Sequence, residues 1–265
     1  MPSVHGRSIN DYLEARSPRR EEPRSPSKEV EPSLIYLLRD CFKEILAIEG
    51  GLEHIKKELA VRQDFTLAGA FNLFTGYSQS RITSNDLLYG LERLGVVCDI
   101  ADAKLLVERY DTDKDGRLGF WEFSNAFLPI DPILRDDLER KKAVWEVGFE
   151  TKEIIRRAFR KLIDAESMVE SMRQRISRET TVNLRKAFDS LDWLGRGFLT
   201  VNEFKRAFDW QSSSTSIYTT SGYFKLDASE MEGFIRRFNK DKMNGRISLP
   251  EFLEELTPKC PEKPY

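Results

Sequence analysis

From residue 33 onward, apolar residues return every three or four positions, and short polar runs rich in Gly, Asp, Asn and Ser interrupt them. That pattern predicts amphipathic helices joined by compact loops. A helix is expected from Pro32-Ser33, carrying Leu34, Leu37, Leu38, Cys41, Ile45 and Ile48. Gly50-Gly51 should break or kink it before a second stripe of Leu52, Ile55 and Leu59. This extension, 33–62, is expected to pack on the domain that follows. Across 63–131 four apolar clusters alternate with loops: Phe65, Leu67, Phe71 and Phe74; Leu87, Leu88 and Leu91; Leu105, Leu106 and Tyr110; Phe120, Phe123 and Phe127, stopped by Pro129. Residues 132–178 read as a long helical spacer, weakest near Gly148, with the stripe Ile155, Phe159, Leu162, Ala165, Val169, Met172 and Ile176. Residues 179–258 repeat helix-loop-helix twice more around a polar insert at 212–222, expected to be a surface loop. The expected fold class is all-α: two pairs of helix-loop-helix units joined by a long helical segment, behind an N-terminal helix and a tail.

The tail, 1–32, is rich in Pro, Ser, Arg and Glu with little to bury, which predicts disorder. Ser17-Pro18 and Ser25-Pro26 stand beside arginines and are open either to phosphorylation or to plain solvation. The last residues, 259–265, should fray. In the whole chain of 265 residues, 40% are hydrophobic and 32% charged, so a core can form beneath a polar surface. A net charge of −2 favours neither nucleic acid nor a membrane surface. No apolar run approaches the roughly 20 residues of a membrane helix. The first residues lack the apolar core of a secretory signal. Cys41, Cys98 and Cys260 are widely separated, with neither metal-ligand spacing nor a disulfide framework. A cytoplasmic setting with reduced thiols is expected. The two histidines, His5 and His54, have no sequence partner for catalysis, and no phosphate loop, nucleophile elbow or H-E-x-x-H motif occurs. An enzyme is not expected.

The chemistry is concentrated in DTDKDGRLGFWE (111–122). Carboxylates stand at loop positions 1, 3 and 5 (Asp111, Asp113, Asp115), glycine at 6 (Gly116), an apolar residue at 8 (Leu118) and glutamate at 12 (Glu122). Calcium is a hard cation that takes 6–8 oxygens. The three aspartates would each supply one, Arg117 its backbone carbonyl, and Glu122 both carboxylate oxygens. Water would fill the place of Gly119, which has no side chain. Magnesium is an alternative ion for the same loop, because Asp113 and Asp115 are hard donors.

Three further segments repeat the frame with fewer ligands. TGYSQSRITSND (75–86) keeps Ile82 at position 8 and Asp86 at position 12, but Thr75, Tyr77 and Gln79 replace the carboxylates. DWLGRGFLTVNE (192–203) keeps Asp192, Gly197 and Glu203, but Leu194 and Arg196 hold positions 3 and 5, and Arg196 puts a cation where a ligand belongs. NKDKMNGRISLPE (239–251) has two readings. Counted from Gly245, Lys240 and Lys242 take positions 1 and 3; counted from Asn239, a thirteen-residue loop could use Asn239, Asp241, Asn244 and Glu251 weakly. Leu118 should pair with Ile82 in a short ribbon.

These four loops resemble those of the calmodulin-like EF-hand superfamily; the first two start 36 residues apart, at 75 and 111. The run RYDTDKDGRLGFWEFSNAFLP, preceded by AFNLF and LERLGV, is also similar to EF-hand pairs of ciliated protists, some of them axonemal. The resemblance implies a calcium-binding regulatory or adaptor protein, or alternatively a structural cytoskeletal or ciliary component whose loops serve packing. It also implies a protein partner. Residues 65–130 contain no methionine, so any groove there is stiff and suited to one dedicated partner. The basic amphipathic stretch EIIRRAFRKLID (153–164) is a candidate occupant of such a groove, within this chain or against an acidic partner; the plainer reading is a solvated face on a core helix.

Overall fold

The computed structural model describes residues 32–75, 80–178, 183–209, 228–239 and 245–260. The expected disorder of 1–32, the insert at 212–222, most of 259–265 and the ligand-place residues Tyr77, Gln79, Lys240, Asp241, Lys242 and Asn244 lie largely or wholly outside them. The chain is mostly helical. Its elements are α1 (Pro32–Ala60), α2 (Leu67–Thr75), β1 (Arg81–Thr83), α3 (Ser84–Arg93), α4 (Ile100–Tyr110), β2 (Arg117–Gly119), α5 (Phe120–Asn125), α6 (Pro132–Arg140) and α7 (Phe149–Arg178). There follow α8 (Leu184–Leu191), β3 (Phe198–Leu199), α9 (Val201–Asp209), α10 (Ala228–Phe238), β4 (Ile247–Ser248) and α11 (Leu249–Leu256). Elements α2–α5 form a first lobe and α8–α11 a second. Each lobe is closed by one antiparallel ribbon. β1 meets β2 with Ile82 opposite Leu118, and β3 meets β4 with Leu199 opposite Ile247.

Two expectations about the long helices change. Helix α1 runs unbroken through Gly50-Gly51. Two glycines cost about 1 kcal/mol each against alanine in a helix, and the Lys161 side chain of α7 lies over Gly51, where a Cβ would stand 2.1 Å from its ammonium. Conversely, the spacer is not one helix. α6 ends at Arg140, and α7 starts only at Phe149, just after Gly148. The Lys141 ammonium, in the intervening turn, is bound by the carbonyls of Ala60 (2.7 Å) and Arg62 (2.6 Å), which ties that turn to the end of α1.

The packing of α1 also departs from expectation. Only its second half, Leu52, Ile55 and Leu59, enters the first-lobe core. Its first half, Leu38, Cys41, Phe42, Ile45 and Leu46, enters the core of the second lobe, about 150 residues further along the chain. Phe42 stands edge-on to Phe204 (5.4 Å between centroids), Phe234 (5.5 Å), Phe238 (6.1 Å) and Phe252 (6.3 Å). Helix α7 does the reverse. Its first half puts Ile155, Phe159 and Leu162 into the first-lobe core, and its second half puts Val169 and Ile176 into the second. Phe159 lies 5.1 Å from Phe74 and 5.5 Å from Phe127. The two helices therefore run antiparallel, each giving one of its halves to each lobe.

The three arginines of 153–164 have partners within the chain. Arg156 pairs with Glu153, Arg157 with Glu58 on α1, and Arg160 donates to the Gly95 carbonyl (3.0 Å). At the other end, residues 259–260 are not loose: their amides donate to Glu170 (3.0 and 3.1 Å). Cys41, Cys98 and Cys260 form no disulfide with one another; burial pushes Cys41 up to about 12, so it stays protonated.

Where the lobes meet, charge is buried. Arg237 of α10 is fully enclosed by Glu255 (2.7 Å), Glu166 (2.7 Å) and Glu49 (3.2 Å). Arg173 pairs with the same Glu255 (2.7 Å). Arg109, two residues before the acidic loop, donates to the Arg237 carbonyl (2.9 Å). Removing one member of such a set would strand its partners.

Candidate metal centre in loop 111–122

Helix α4 delivers Asp111 to the mouth of the loop, where it is buried and its amide still bonds back to Val107 (2.8 Å). Two residues with positive φ, Lys114 (59°) and Gly116 (78°), then turn the chain tightly. The turn points amides inward. Asp111 accepts from Gly116 (2.7 Å) and Asp115 (3.3 Å), Asp113 accepts from Asp115 (3.2 Å), and Asp115 accepts from Arg117 (2.9 Å). One oxygen of each aspartate lies within 4.8 Å of the others. Among the described residues this is the one such acidic group. Three carboxylates so close repel one another unless a cation stands near. Arg117 opens β2, opposite Thr83.

Glu122 is placed differently. It is buried in the first turn of α5 and is not within the aspartate group. One oxygen accepts from the Gly119 amide (2.8 Å), and the other accepts from the amide and hydroxyl of Thr112 (2.8 and 2.9 Å). Burial alone would raise its pKa, but the hydrogen bonds from Gly119, Thr112 and Asp113 outweigh burial and hold it below the ordinary range. The donor set fits a hard divalent cation: Asp111, Asp113 and Asp115 as single-oxygen ligands, the Arg117 carbonyl, and Glu122 once its second oxygen exchanges Thr112 for the ion.

The same carboxylate position has another use that sequence reading missed. In all four loops the acid at position 12 caps the amide at position 9. Asp86 accepts from Thr83 (2.9 Å), Glu122 from Gly119 (2.8 Å), Glu203 from Thr200 (2.8 Å) and Glu251 from Ser248 (2.7 Å). Each pair closes the exposed first turn of the outgoing helix. The signal was present as Thr or Ser three residues before Asp or Glu in the three loops with fewer ligands. Those acids act as caps in loops that lack the other carboxylates as well as in the one that has them.

In 192–203 the predicted cation is in place. Arg196 pairs with Glu203 (2.5 Å), while Asp192 accepts from the amides of Arg196 (3.0 Å) and Gly197 (2.6 Å). The guanidinium also lies 4.7 Å from the Phe198 ring centroid. In the last loop, buried Asn239 donates to the Arg246 carbonyl (2.8 Å), a structural bond across the turn.

Residues 181–257 match the family model described as an EF-hand domain pair, which is the second lobe; loop 111–122 lies outside the matched stretch. The second lobe is thus matched as an EF-hand domain pair. No curated protein matches. Among solved structures, a homolog of programmed cell death 6 protein from Leishmania major Friedlin matches at 16% identity over 73% of this chain and 72% of that one. The TM-score of that match is 0.22. No helix among the described residues is long and apolar enough to cross a membrane.

Proposed function

We propose that this is a calcium-binding EF-hand protein that acts by binding rather than by catalysis, as a regulatory or adaptor protein. Its one competent loop is 111–122, and its four helix-loop-helix units otherwise serve as architecture. The observation that carries this reading is the convergence of Asp111, Asp113 and Asp115, with one oxygen of each within 4.8 Å of the others. The remaining loops supply ribbons, caps and core. Magnesium occupies the same loop more weakly in this reading, because a smaller ion demands a stricter octahedral cage. Calorimetric titration with calcium and magnesium is the test. The wild type should show one tight calcium site. Glu122→Gln should weaken it by on the order of a hundredfold, at the upper end of what lost metal-site partners cost. Several tight sites, or none, would overturn the reading.

A protein partner belongs to the proposal as well. It would engage a lobe from which α1 or the 153–164 portion of α7 has withdrawn. One observation favours a second, purely architectural reading: both lobes are already filled by the chain's own helices through Phe42 and Phe159. Calcium would then stabilise without opening. Apolar-dye binding and the fluorescence of exposed Trp121 separate the two. A large calcium-dependent change supports regulation, and none supports architecture.

A further inference from the structure

Loop 75–86 has lost the ligands of its own ion, yet it places a charge on its neighbour's. Arg81 stands at its position 7, in β1, directly opposite Gly119 of β2. Gly119 is position 9 of the acidic loop and offers no side chain of its own. The Arg81 guanidinium reaches across it to Asp115, with which it forms an ion pair, and to Asp113, 3.5 Å away. These are the ligands at positions 5 and 3. We infer that Arg81 is a resident counter-cation of loop 111–122, donated by the partner loop, which sets the loop's affinity for a divalent ion by competing for Asp113 and Asp115. This rests on the calcium reading proposed above.

The magnitudes make the competition displaceable. The side chains of Arg81, Asp113 and Asp115 are 43%, 53% and 34% exposed. An exposed pair of this kind is weak and screened by salt. A divalent ion that gathers all the loop's oxygens can release it, but at a cost in apparent affinity. Loop 192–203 shows the other limit. There Arg196 belongs to the loop itself, pairs with a Glu203 side chain only 2% exposed, and faces no carboxylates at positions 3 and 5 that could recruit an ion. One arginine is a fixed substitute for the metal and the other a removable one. The degraded first loop thus has a role beyond packing.

Calcium titration of the full chain carrying Arg81→Gln tests this, with Arg81→Lys and Glu122→Gln alongside and circular dichroism to verify folding. Arg81→Gln should bind calcium about fivefold more tightly than wild type, the scale of one exposed ion pair. Arg81→Lys, which keeps the charge, should stay near wild type. The gap between Arg81→Gln and wild type should shrink between about 0.02 M and about 0.5 M salt as screening removes the competition. If Arg81→Gln binds as wild type does while Glu122→Gln still loses the site, the counter-cation role is overturned and the calcium reading stands. If no protein of the series binds calcium, both are overturned.

Discussion

Loops 111–122 and 192–203 share a frame and differ in what fills it. In each, the first aspartate accepts an amide from position 6, at 2.7 Å in one and 2.6 Å in the other, and the last glutamate accepts the amide of position 9, at 2.8 Å in both. Each has a glycine with φ 78° at position 6. The divergence lies at positions 3 and 5, where Asp113 and Asp115 face Leu194 and Arg196. The comparison teaches that this turn is first a way to satisfy inward-pointing backbone amides and only second a metal cage. In the proposed reading, two side chains decide whether the cation is an ion or an arginine.

Three experiments would break or sharpen that contrast. The largest effects should come from the aromatic fillers, since both lobes rest on them whatever their loops hold. Phe42→Ala and Phe159→Ala should each cost about 3–5 kcal/mol in urea unfolding of the full chain. If only one does, the lobes are not equivalent supports. A smaller effect is expected from Arg196→Ala. It leaves buried Glu203 without its charged partner, although the Thr200 bonds remain, so a loss of about 1–2 kcal/mol should appear as a lower denaturation midpoint. A midpoint that does not move would mean Arg196 is no substitute for an ion. The smallest effect is on pH dependence. Burial raises the Glu203 pKa, but the Thr200 hydroxyl and amide and the Arg196 charge outweigh it, so the folded value lies below the ordinary 4.5. The associated stability is complete above that ordinary value and disappears as pH falls through the lower folded one. In Arg196→Ala the acid edge of an unfolding-versus-pH series should move slightly upward; a shift downward would contradict the assigned pair.

Much of this organisation was legible from residue spacing. The 3.6-residue period placed the helices of both lobes, and alignment of the loops put Ile82 opposite Leu118. The Asp111, Asp113, Asp115 pattern needs only a local turn to converge, so a twelve-residue window was enough to propose it. Arg196 as a cation in a ligand's place was also readable, because it sits within the same short loop as Glu203. Other features were not read, or were misread, for a common reason. Glu166 and Arg173 fall in the apolar stripe of α7, between Leu162, Val169 and Ile176 at spacings of four and three. That marks them as buried charges, but their partners Glu255 and Arg237 lie 82 and 71 residues away from Arg173 and Glu166. Gly50-Gly51 looked like a break because the helix α7 that passes over it was not in view. The acids at position 12 looked only like ligands or their remnants, although Thr83, Thr200 and Ser248 three residues earlier marked them as caps.

Local sequence by itself determined the helices, the turns with positive φ, the capping acids and the placement of three carboxylates in one loop, because each depends on contacts within about a dozen residues. Tertiary structure alone decided that α1 and α7 run antiparallel through both lobes. It alone enclosed Arg237 among three glutamates from three elements, and brought Arg81 of one loop to the aspartates of the next. Those arrangements join segments distant in the chain, and their free energy comes from desolvation and from charges meeting across the fold. No local pattern specifies which partners will meet.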